Sequence, residues 1–182
     1  RQDRDSMIFA DGAGATIIEK TDEEGGILSH NTASYTDDEV FYLFYGKSYN
    51  PQADEKTKYI KMRGRKVYEF ALTNVPSAMK ECLDLANTDI SEIKKILIHQ
   101  ANAKMDDAIV KRLYKLFNEE SPEKIMPLTV DRFGNSSVAT VPTMFDLIVR
   151  NKLGDHKIEK GDKIIFASVG AGMHINAMVY QY

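Results

Sequence analysis

The chain has 182 residues, of which 43% are hydrophobic, and its formal net charge is −3. That length supports one sizeable core, so a single domain over residues 1–182 is expected, and the acidic balance gives no support to a general nucleic-acid-binding role. The one cysteine excludes an internal disulfide framework. No apolar run reaches the roughly 20 residues of a membrane span, so we expect a cytoplasmic protein without a membrane partner.

The N-terminal part of the chain is rich in short β-prone runs. Residues 7–10 and 15–19 are predicted as two strands around the small residues 11–14, and residues 27–30 as a third strand. We interpret the glycines between the first two runs as structural, since a lone Gly-x-Gly with no helix after it is weak evidence for a phosphate-binding loop.

Residues 32–58 lack clear periodicity but are strongly aromatic. The aromatic side chains are Tyr35, Phe41, Tyr42, Phe44, Tyr45 and Tyr49. A long aromatic segment can cover a site, form an oligomer contact or simply pack beside the core, and the sequence does not separate these three interpretations.

From residue 64 onward, apolar side chains recur at spacings of three and four and predict a long helix. Pro76 lies inside this helix and is expected to kink it or restart it. Cys82 falls on its apolar face. A cap at Asp89 or Ser91 is expected before the next strand.

The rest of the chain alternates between strands and helices. The predicted elements are a strand over 95–99, a helix over about 104–118, a short strand over 126–130, a helix from about 138 to 151 that ends at Gly154, and two final strands over 163–167 and 175–180. This succession predicts a layered α/β fold in which helices cover a mixed β-sheet.

Three junctions between these elements carry residues suited to a functional site. His99 ends a predicted strand, Asn135 lies in the loop that opens the next helix, and a glycine-rich turn at residues 170–172 follows another strand. Because open α/β sheets place their chemistry where strands stop and helices start, we expect these three junctions to converge on one pocket.

The same junctions form a series of motifs. They are His-Gln-Ala-Asn at 99–102, Gly-Asn-Ser-Ser at 134–137 with Pro142 behind it, Gly-Ala-Gly at 170–172, and the segments at 9–15 and 62–71. In this order they resemble the C-terminal half of a 3-oxoacyl-[acyl-carrier-protein] synthase III, a condensing enzyme of the thiolase fold. Full members are about twice as long, so the resemblance implies an N-terminal, cysteine-bearing half that this chain lacks.

The resemblance implies a decarboxylating condensation of an acyl thioester with malonyl-acyl-carrier protein, at the initiation of fatty acid biosynthesis. His99 and Asn135 would be the catalytic pair, because two neutral N–H donors can hold the negative oxygen of the enolate. The N–H of Ala171, between Gly170 and Gly172, would help to bind the later oxyanion. Acyl-CoA and malonyl-carrier phosphopantetheine enter as substrates, and no permanently bound cofactor is expected.

Partners are also implied by the resemblance. Synthases of this family dock an acidic carrier protein on the helix that corresponds to 104–118, which makes Lys104, Lys111 and Arg112 docking candidates, although a charged stripe is as often only a solvated helix face. Lys104 stands where many members have arginine. A homodimer is expected from the family, Asn102 is interpreted as a structural amide, and no metal-ligand spacing is present.

Three alternatives remain at this point. The order Cys82, His99, Asn135 is that of a papain-like triad, but a cysteine on the apolar face of a helix is usually an inert core residue. The chain could instead be a non-catalytic subunit that binds carrier protein or a catalytic partner. It could also belong to a polyketide-type synthase with another acyl donor. As half of a condensing enzyme without the nucleophilic cysteine, the isolated chain is expected to catalyse no condensation.

Overall fold

The computed structural model describes residue 3 and residues 5–182. These residues form six strands and four α-helices, joined by short 3-10 turns. The strands are β1 (Gly26–Ser34), β2 (Leu43–Lys47), β3 (Lys58–Met62), β4 (Ile93–Ile98), β5 (Lys163–Gly170) and β6 (His174–Gln181), and the helices are α1 (Gly64–Leu85), α2 (Ala103–Lys115), α3 (Val130–Phe133) and α4 (Thr140–Val149). Within the described part of the chain, every helix is too short or too polar to cross a membrane.

Four strands form a mixed sheet in the order β1-β6-β5-β4. β4 and β5 run parallel, with Ile98 opposite Ala167, while β6 is antiparallel to both of its neighbours. The parallel pair places the carboxyl ends of β4 and β5 at the same edge of the sheet, where the site was expected. The layered α/β fold with a mixed sheet is therefore confirmed.

Both faces of the central strands are covered. α1 and α2 pack on one face and contribute to the main core with Ile96 and Ile98, whereas α4 packs on the other face, where Met144 and Ile148 surround Leu97. A strand buried on both faces reads as a continuous apolar run, which explains why the sequence before His99 was recognisable as a strand.

The two strands predicted at residues 7–10 and 15–19 are wrong. Asp5–Ile8 is a 3-10 turn, Phe9 makes a single bridge to Asn135, and residues 10–20 have no regular structure. Ile17 in this segment is 94% exposed. β-Prone residues form a strand only when a neighbouring strand accepts their hydrogen bonds, and the described residues offer none there.

The glycines of this segment are structural, as the sequence indicated. A Cβ added at Gly12 would lie 2.9 Å from the Cβ of Ser136, and one at Gly14 would lie 2.6 Å from the Cγ of Pro142. Both distances are shorter than a carbon–carbon contact. Side chains at these two positions would therefore push the N-terminal segment away from the loop that carries Asn135.

The aromatic segment contains more regular structure than its sequence suggested. β1 continues to Ser34, Asp38–Tyr42 is a 3-10 turn, and β2 pairs antiparallel with β3. Tyr35 packs edge-on against Phe70 with ring centroids 4.9 Å apart, while Tyr45 is 72% exposed. One side of the segment thus packs on the core, and the other side is exposed to solvent.

Of the two effects predicted for Pro76, a kink or a restart, the restart does not occur, because α1 runs without interruption through this residue. Proline has no N–H, and the carbonyl of Leu72, four residues earlier, loses its helical donor. The guanidinium of Arg112 on α2 donates to that carbonyl at 3.1 Å. A contact between two helices therefore replaces the bond that the proline removes.

Two further boundaries differ from prediction. The strand expected over 126–130 is absent, because this stretch is held by side-chain bonds and leads into α3. α4 ends before Gly154: Asn151 adopts a left-handed φ of 55°, and the N–H of Lys152 reaches back to Leu147 at 2.7 Å. This is a Schellman cap in which asparagine takes the usual place of glycine.

Candidate functional site

His99 lies immediately after β4. Its backbone N–H donates to Ala167 at 2.9 Å, which extends the parallel ladder by one residue and fixes the histidine at the edge of the sheet. Burial lowers the pKa of its imidazole below the ordinary value, and an interaction with the backbone of Ser137 partly offsets this effect. Near neutral pH the ring is therefore uncharged and has one N–H and one acceptor nitrogen.

Asn135 is 4% exposed and is held by both its backbone and its side chain. Its backbone N–H donates to Ile8 at 3.1 Å and its carbonyl accepts from Ala10 at 2.8 Å. Its Oδ1 accepts from the N–H of Ser137 at 2.9 Å. Because the oxygen is engaged, the NH₂ group remains as the outward donor of this amide, and it forms no other bond within the described residues.

Ser137 connects the two candidate catalytic residues. Its N–H binds the side chain of Asn135, and its backbone interacts with the ring of His99. It adopts a left-handed φ of 54°, which costs a non-glycine residue on the order of 1 kcal/mol or more. The loop after α3 and the end of β4 thus meet at one residue, and strained backbone of this kind is common at functional sites.

The glycine turn joins β5 to β6 at the same end of the sheet. Gly172 has a φ of 76°, and a Cβ there would lie 2.7 Å from Nε2 of His174, so the turn requires glycine at this position. The main neighbours of the turn are Asp38–Tyr42 and β2. Ala171 and Gly170 therefore lie at the expected edge, beside the aromatic segment, whereas His99 and Asn135 are joined more directly to each other.

Asn102 is the N-cap of α2. Its Oδ1 accepts from the N–H of Lys104 at 3.0 Å and of Met105 at 3.4 Å. The side chain thereby satisfies two of the free donors at the start of the helix. This geometry gives Asn102 a structural role in the motif that begins at His99.

The three docking candidates on α2 differ in their surroundings. Lys111 pairs with Asp107 at 2.7 Å, and Arg112 is bound to the carbonyl of Leu72. Lys104 is exposed and forms no ion pair within the described residues. Of the three, Lys104 therefore offers the most freely available positive charge.

Cys82 is fully buried in the main core, and its thiol donates to the carbonyl of Ala177 at 3.2 Å. Burial raises the pKa of this thiol to about 11. A thiol in that environment is neither ionised nor reachable at neutral pH, so the papain-like alternative is wrong. No group of three or more metal-ligating side chains is found among residues 3 and 5–182.

Two buried polar residues near the site were missed from the sequence. Gln100 is completely buried and bonds to the stretch before α3. Asp106 on α2 is also completely buried, and neither of its carboxylate oxygens has a hydrogen-bond partner among the described residues. The only sequence signal was position: Gln100 directly follows a site histidine, and Asp106 interrupts the apolar face formed by Met105 and Ile109.

The mixed sheet with helices on both faces is a thiolase-like α/β fold. Residues 83–182 match the family described as 3-oxoacyl-[acyl-carrier-protein] synthase III C terminal, and the chain belongs to this family. The resemblance noted in the motifs is thereby confirmed.

Relatives and solved structures agree with this assignment. The chain is 33% identical over 180 residues to beta-ketoacyl-[acyl-carrier-protein] synthase III of Erythrobacter litoralis, covering 97% of this chain and 52% of the relative. It is 32% identical to the enzyme of the same name from Bartonella henselae, covering 100% of this chain and 54% of that one. The chain therefore spans about half the length of the relatives it matches.

Among solved structures, beta-ketoacyl-[acyl-carrier-protein] synthase III from Thermus thermophilus superposes with a TM-score of 0.73 at 25% identity, covering 91% of this chain and 49% of that one. The priming β-ketosynthase of the R1128 polyketide pathway superposes with a TM-score of 0.70 at 22% identity, covering 86% and 45%. The second likeness shows a shared fold alone, so it does not favour a polyketide substrate.

Proposed function

We propose that this chain supplies the enolate-stabilising half of a decarboxylating condensation site, in an enzyme that joins an acyl group to malonyl-acyl-carrier protein at the start of fatty acid synthesis. The observation that carries the proposal is the meeting of His99 with the Asn135 loop at Ser137. The neutral imidazole and the free amide NH₂ are two donors without a competing anion. Donors of this kind stabilise a developing enolate oxygen, each by about 3–4 kcal/mol.

The proposed chemistry begins on the malonyl thioester. Its terminal carbon–carbon bond breaks, carbon dioxide leaves, and the electron pair moves into a thioester enolate whose oxygen accepts bonds from His99 and Asn135. The enolate carbon then attacks an acyl thioester on the enzyme, and the enzyme thiolate leaves. The backbone N–H of Ala171 lies at the same edge of the sheet and is proposed to hold the oxyanion formed in this second step.

The acyl-carrying thiol is proposed to come from outside this chain. Cys82 is the single cysteine, and its thiol is buried with a pKa of about 11. The isolated chain is accordingly expected to form no acyl-enzyme and to catalyse no condensation.

Docking of the carrier protein is proposed on the exposed face of α2. Lys104 supports this most directly, since its charge is exposed and unpaired and it lies two residues after the cap of the helix that follows His99. Acidic partners are attracted to such charges over distances of about 10 Å at ordinary salt.

The test separates the two half-reactions in the gene product that contains this chain. Decarboxylation is measured as carbon dioxide release from malonyl-carrier protein, and acyl transfer as labelling of the enzyme by radioactive acyl-CoA. His99→Ala and Asn135→Ala are each expected to lower decarboxylation about 100- to 1,000-fold while leaving labelling intact. His30→Ala, at an exposed position on β1, is the control. Unchanged decarboxylation in both site variants would contradict the proposal.

A further inference from the structure

We propose that Gln100 is a positioning residue, whose side-chain amide sets the distance between the His99 and Asn135 donors. This inference rests on the function proposed above. Gln100 is not expected to touch the substrate or the reacting atoms. It is joined, however, to the two segments that carry the proposed donors, the end of β4 with His99 and the α3 segment that leads to Asn135.

All of the polar atoms of the Gln100 side chain are used. It is 0% exposed, and its Nε2 donates to the carbonyl of Pro127 at 2.6 Å. Its Oε1 accepts from the N–H of Thr129 at 2.7 Å and of Val130 at 3.0 Å, and also lies 3.2 Å from the hydroxyl of Thr129. A buried amide with this many partners has only one orientation that satisfies them.

These bonds replace the cap that α3 lacks. Thr129 is the N-cap of α3 but its own side chain caps nothing. The first N–H groups of a helix need acceptors, and Gln100 provides one from a different element. Because α3 has only four residues and Gly134 is its C-cap, fixing its first turn also fixes the position of Asn135, the next residue.

The other end of the connection is equally fixed. Gln100 follows His99 directly, and the backbone of His99 is held in the ladder to Ala167. The connection therefore runs from β5 through a backbone hydrogen bond to His99, along the chain to Gln100, and through the hydrogen bonds of the Gln100 side chain to the start of α3, which leads to Asn135. Two donors that bind the same enolate oxygen must be held at a fixed distance from each other. A misplacement of about 1 Å can cost a factor of about 100 in rate.

Two variants of the gene product that contains this chain test the inference. Gln100→Ala removes every bond of the amide. Gln100→Glu has nearly the same shape and keeps the acceptor, but it places a carboxylate oxygen against the carbonyl of Pro127. Both variants are expected to lower the maximal rate of decarboxylation by about 10- to 100-fold, with little change in the KM for malonyl-carrier protein and unchanged acyl labelling. Protonation of the new carboxyl at low pH restores a donor, so the rate of Gln100→Glu is expected to recover, relative to the native protein, as the pH falls.

Gln181→Ala is the matched control, because the Nε2 of Gln181 also donates to a backbone carbonyl, that of Gly161 at 3.3 Å, at the opposite end of the sheet. Folded variants that decarboxylate normally would overturn the inference, as would a parallel loss of both half-reactions. Failure of both variants to fold would assign Gln100 to stability and overturn it too. If His99→Ala and Asn135→Ala are also without effect, the proposed function fails; if they are impaired and the Gln100 variants are not, this inference alone fails.

Discussion

Asp106 is the residue whose environment departs most from what its sequence position suggests. An ionised carboxylate without a partner is strongly disfavoured in a core, and here burial raises the pKa of Asp106 to about 7, against a smaller lowering effect of the nearby Asn102 backbone. The side chain is therefore neutral in the folded protein over much of the acidic range. Its ionisation adds a buried charge directly behind the cap of α2.

The raised pKa of Asp106 predicts that the free energy of unfolding depends on pH. Between the ordinary value of 3.8 and about 7, the folded state holds a proton on Asp106 that the unfolded state has lost. The free energy of unfolding contributed by this group therefore falls as pH rises through that window, by up to about 4 kcal/mol at pH 8. Asp106→Asn removes this pH-dependent contribution to the free energy of unfolding, because an amide does not titrate.

Urea unfolding at a series of pH values measures this effect. The difference in unfolding free energy between Asp106→Asn and the native protein is expected to move in favour of the variant as pH rises from 4 to 8. Asp107→Asn is the control, since Asp107 is the exposed neighbour that pairs with Lys111. A difference that is constant with pH would contradict the assignment.

At the scale of elements, the contact between α1 and α2 compensates for a residue that is unfavourable in a helix. Pro76 removes one helical bond, and Arg112 supplies the missing donor to Leu72. Arg112 therefore has a structural function in addition to its proposed place on the docking surface. A variant of Arg112 would lose both a docking charge and the contact between α1 and α2, so weaker carrier-protein binding could arise from either loss. A variant of Lys104 tests docking without disturbing that contact.

A double-mutant cycle tests this compensation. Arg112→Ala is expected to lower the free energy of unfolding by about 1–2 kcal/mol, because the part-buried carbonyl of Leu72 loses the donor that replaces the N–H missing at Pro76. In the background of Pro76→Ala, the restored N–H at position 76 can bond to Leu72, so the same change should cost less. Arg150→Ala, which breaks only the exposed pair with Asp146, is the control. Equal costs of Arg112→Ala in both backgrounds, measured by urea unfolding, would contradict this account.

Elements that carry their own periodic signal were predicted well from the sequence. A short stretch of sequence is enough to show the apolar pattern of each of these elements, which are β4, β5, β6, α1 and α2. The segment at 15–19 has the composition of a strand. Whether it forms one depends on an adjacent strand that can accept its hydrogen bonds, and the local pattern does not show whether such a strand exists. The same limit applies to the candidate site: the sequence could nominate His99 and Asn135 because their junctions are local, while the role proposed for Gln100 rests on contacts with Pro127 and Thr129 that only the structure reveals.

At the scale of the whole molecule, the N-terminal segment connects distant parts of the fold. Asp3 forms an ion pair with the buried Lys61 of β3 at 2.7 Å. Ile8 and Ala10 then bond to the backbone of Asn135. Asp3, Ile8 and Ala10 thus tie the β2–β3 pair to the loop that carries Asn135, although none of the three is given a part in the proposed chemistry.

Gly14 provides a test of this connection, because it contacts the start of α4 and not the proposed donors. Gly14→Val would bring a side chain within 2.6 Å of Pro142, so the segment or the helix must move. We expect a loss of about 1–3 kcal/mol in unfolding free energy from this overpacking. We also expect a lower rate of malonyl decarboxylation in the gene product that contains this chain, since Asn135 is bonded to the same segment. Gly64→Ala is the matched control, because a Cβ there meets nothing within 4 Å; it should leave the decarboxylation rate unchanged and should not lower the free energy of unfolding. If Gly14→Val lowers stability while the folded variant decarboxylates at the native rate, the N-terminal segment stabilises the fold without positioning Asn135.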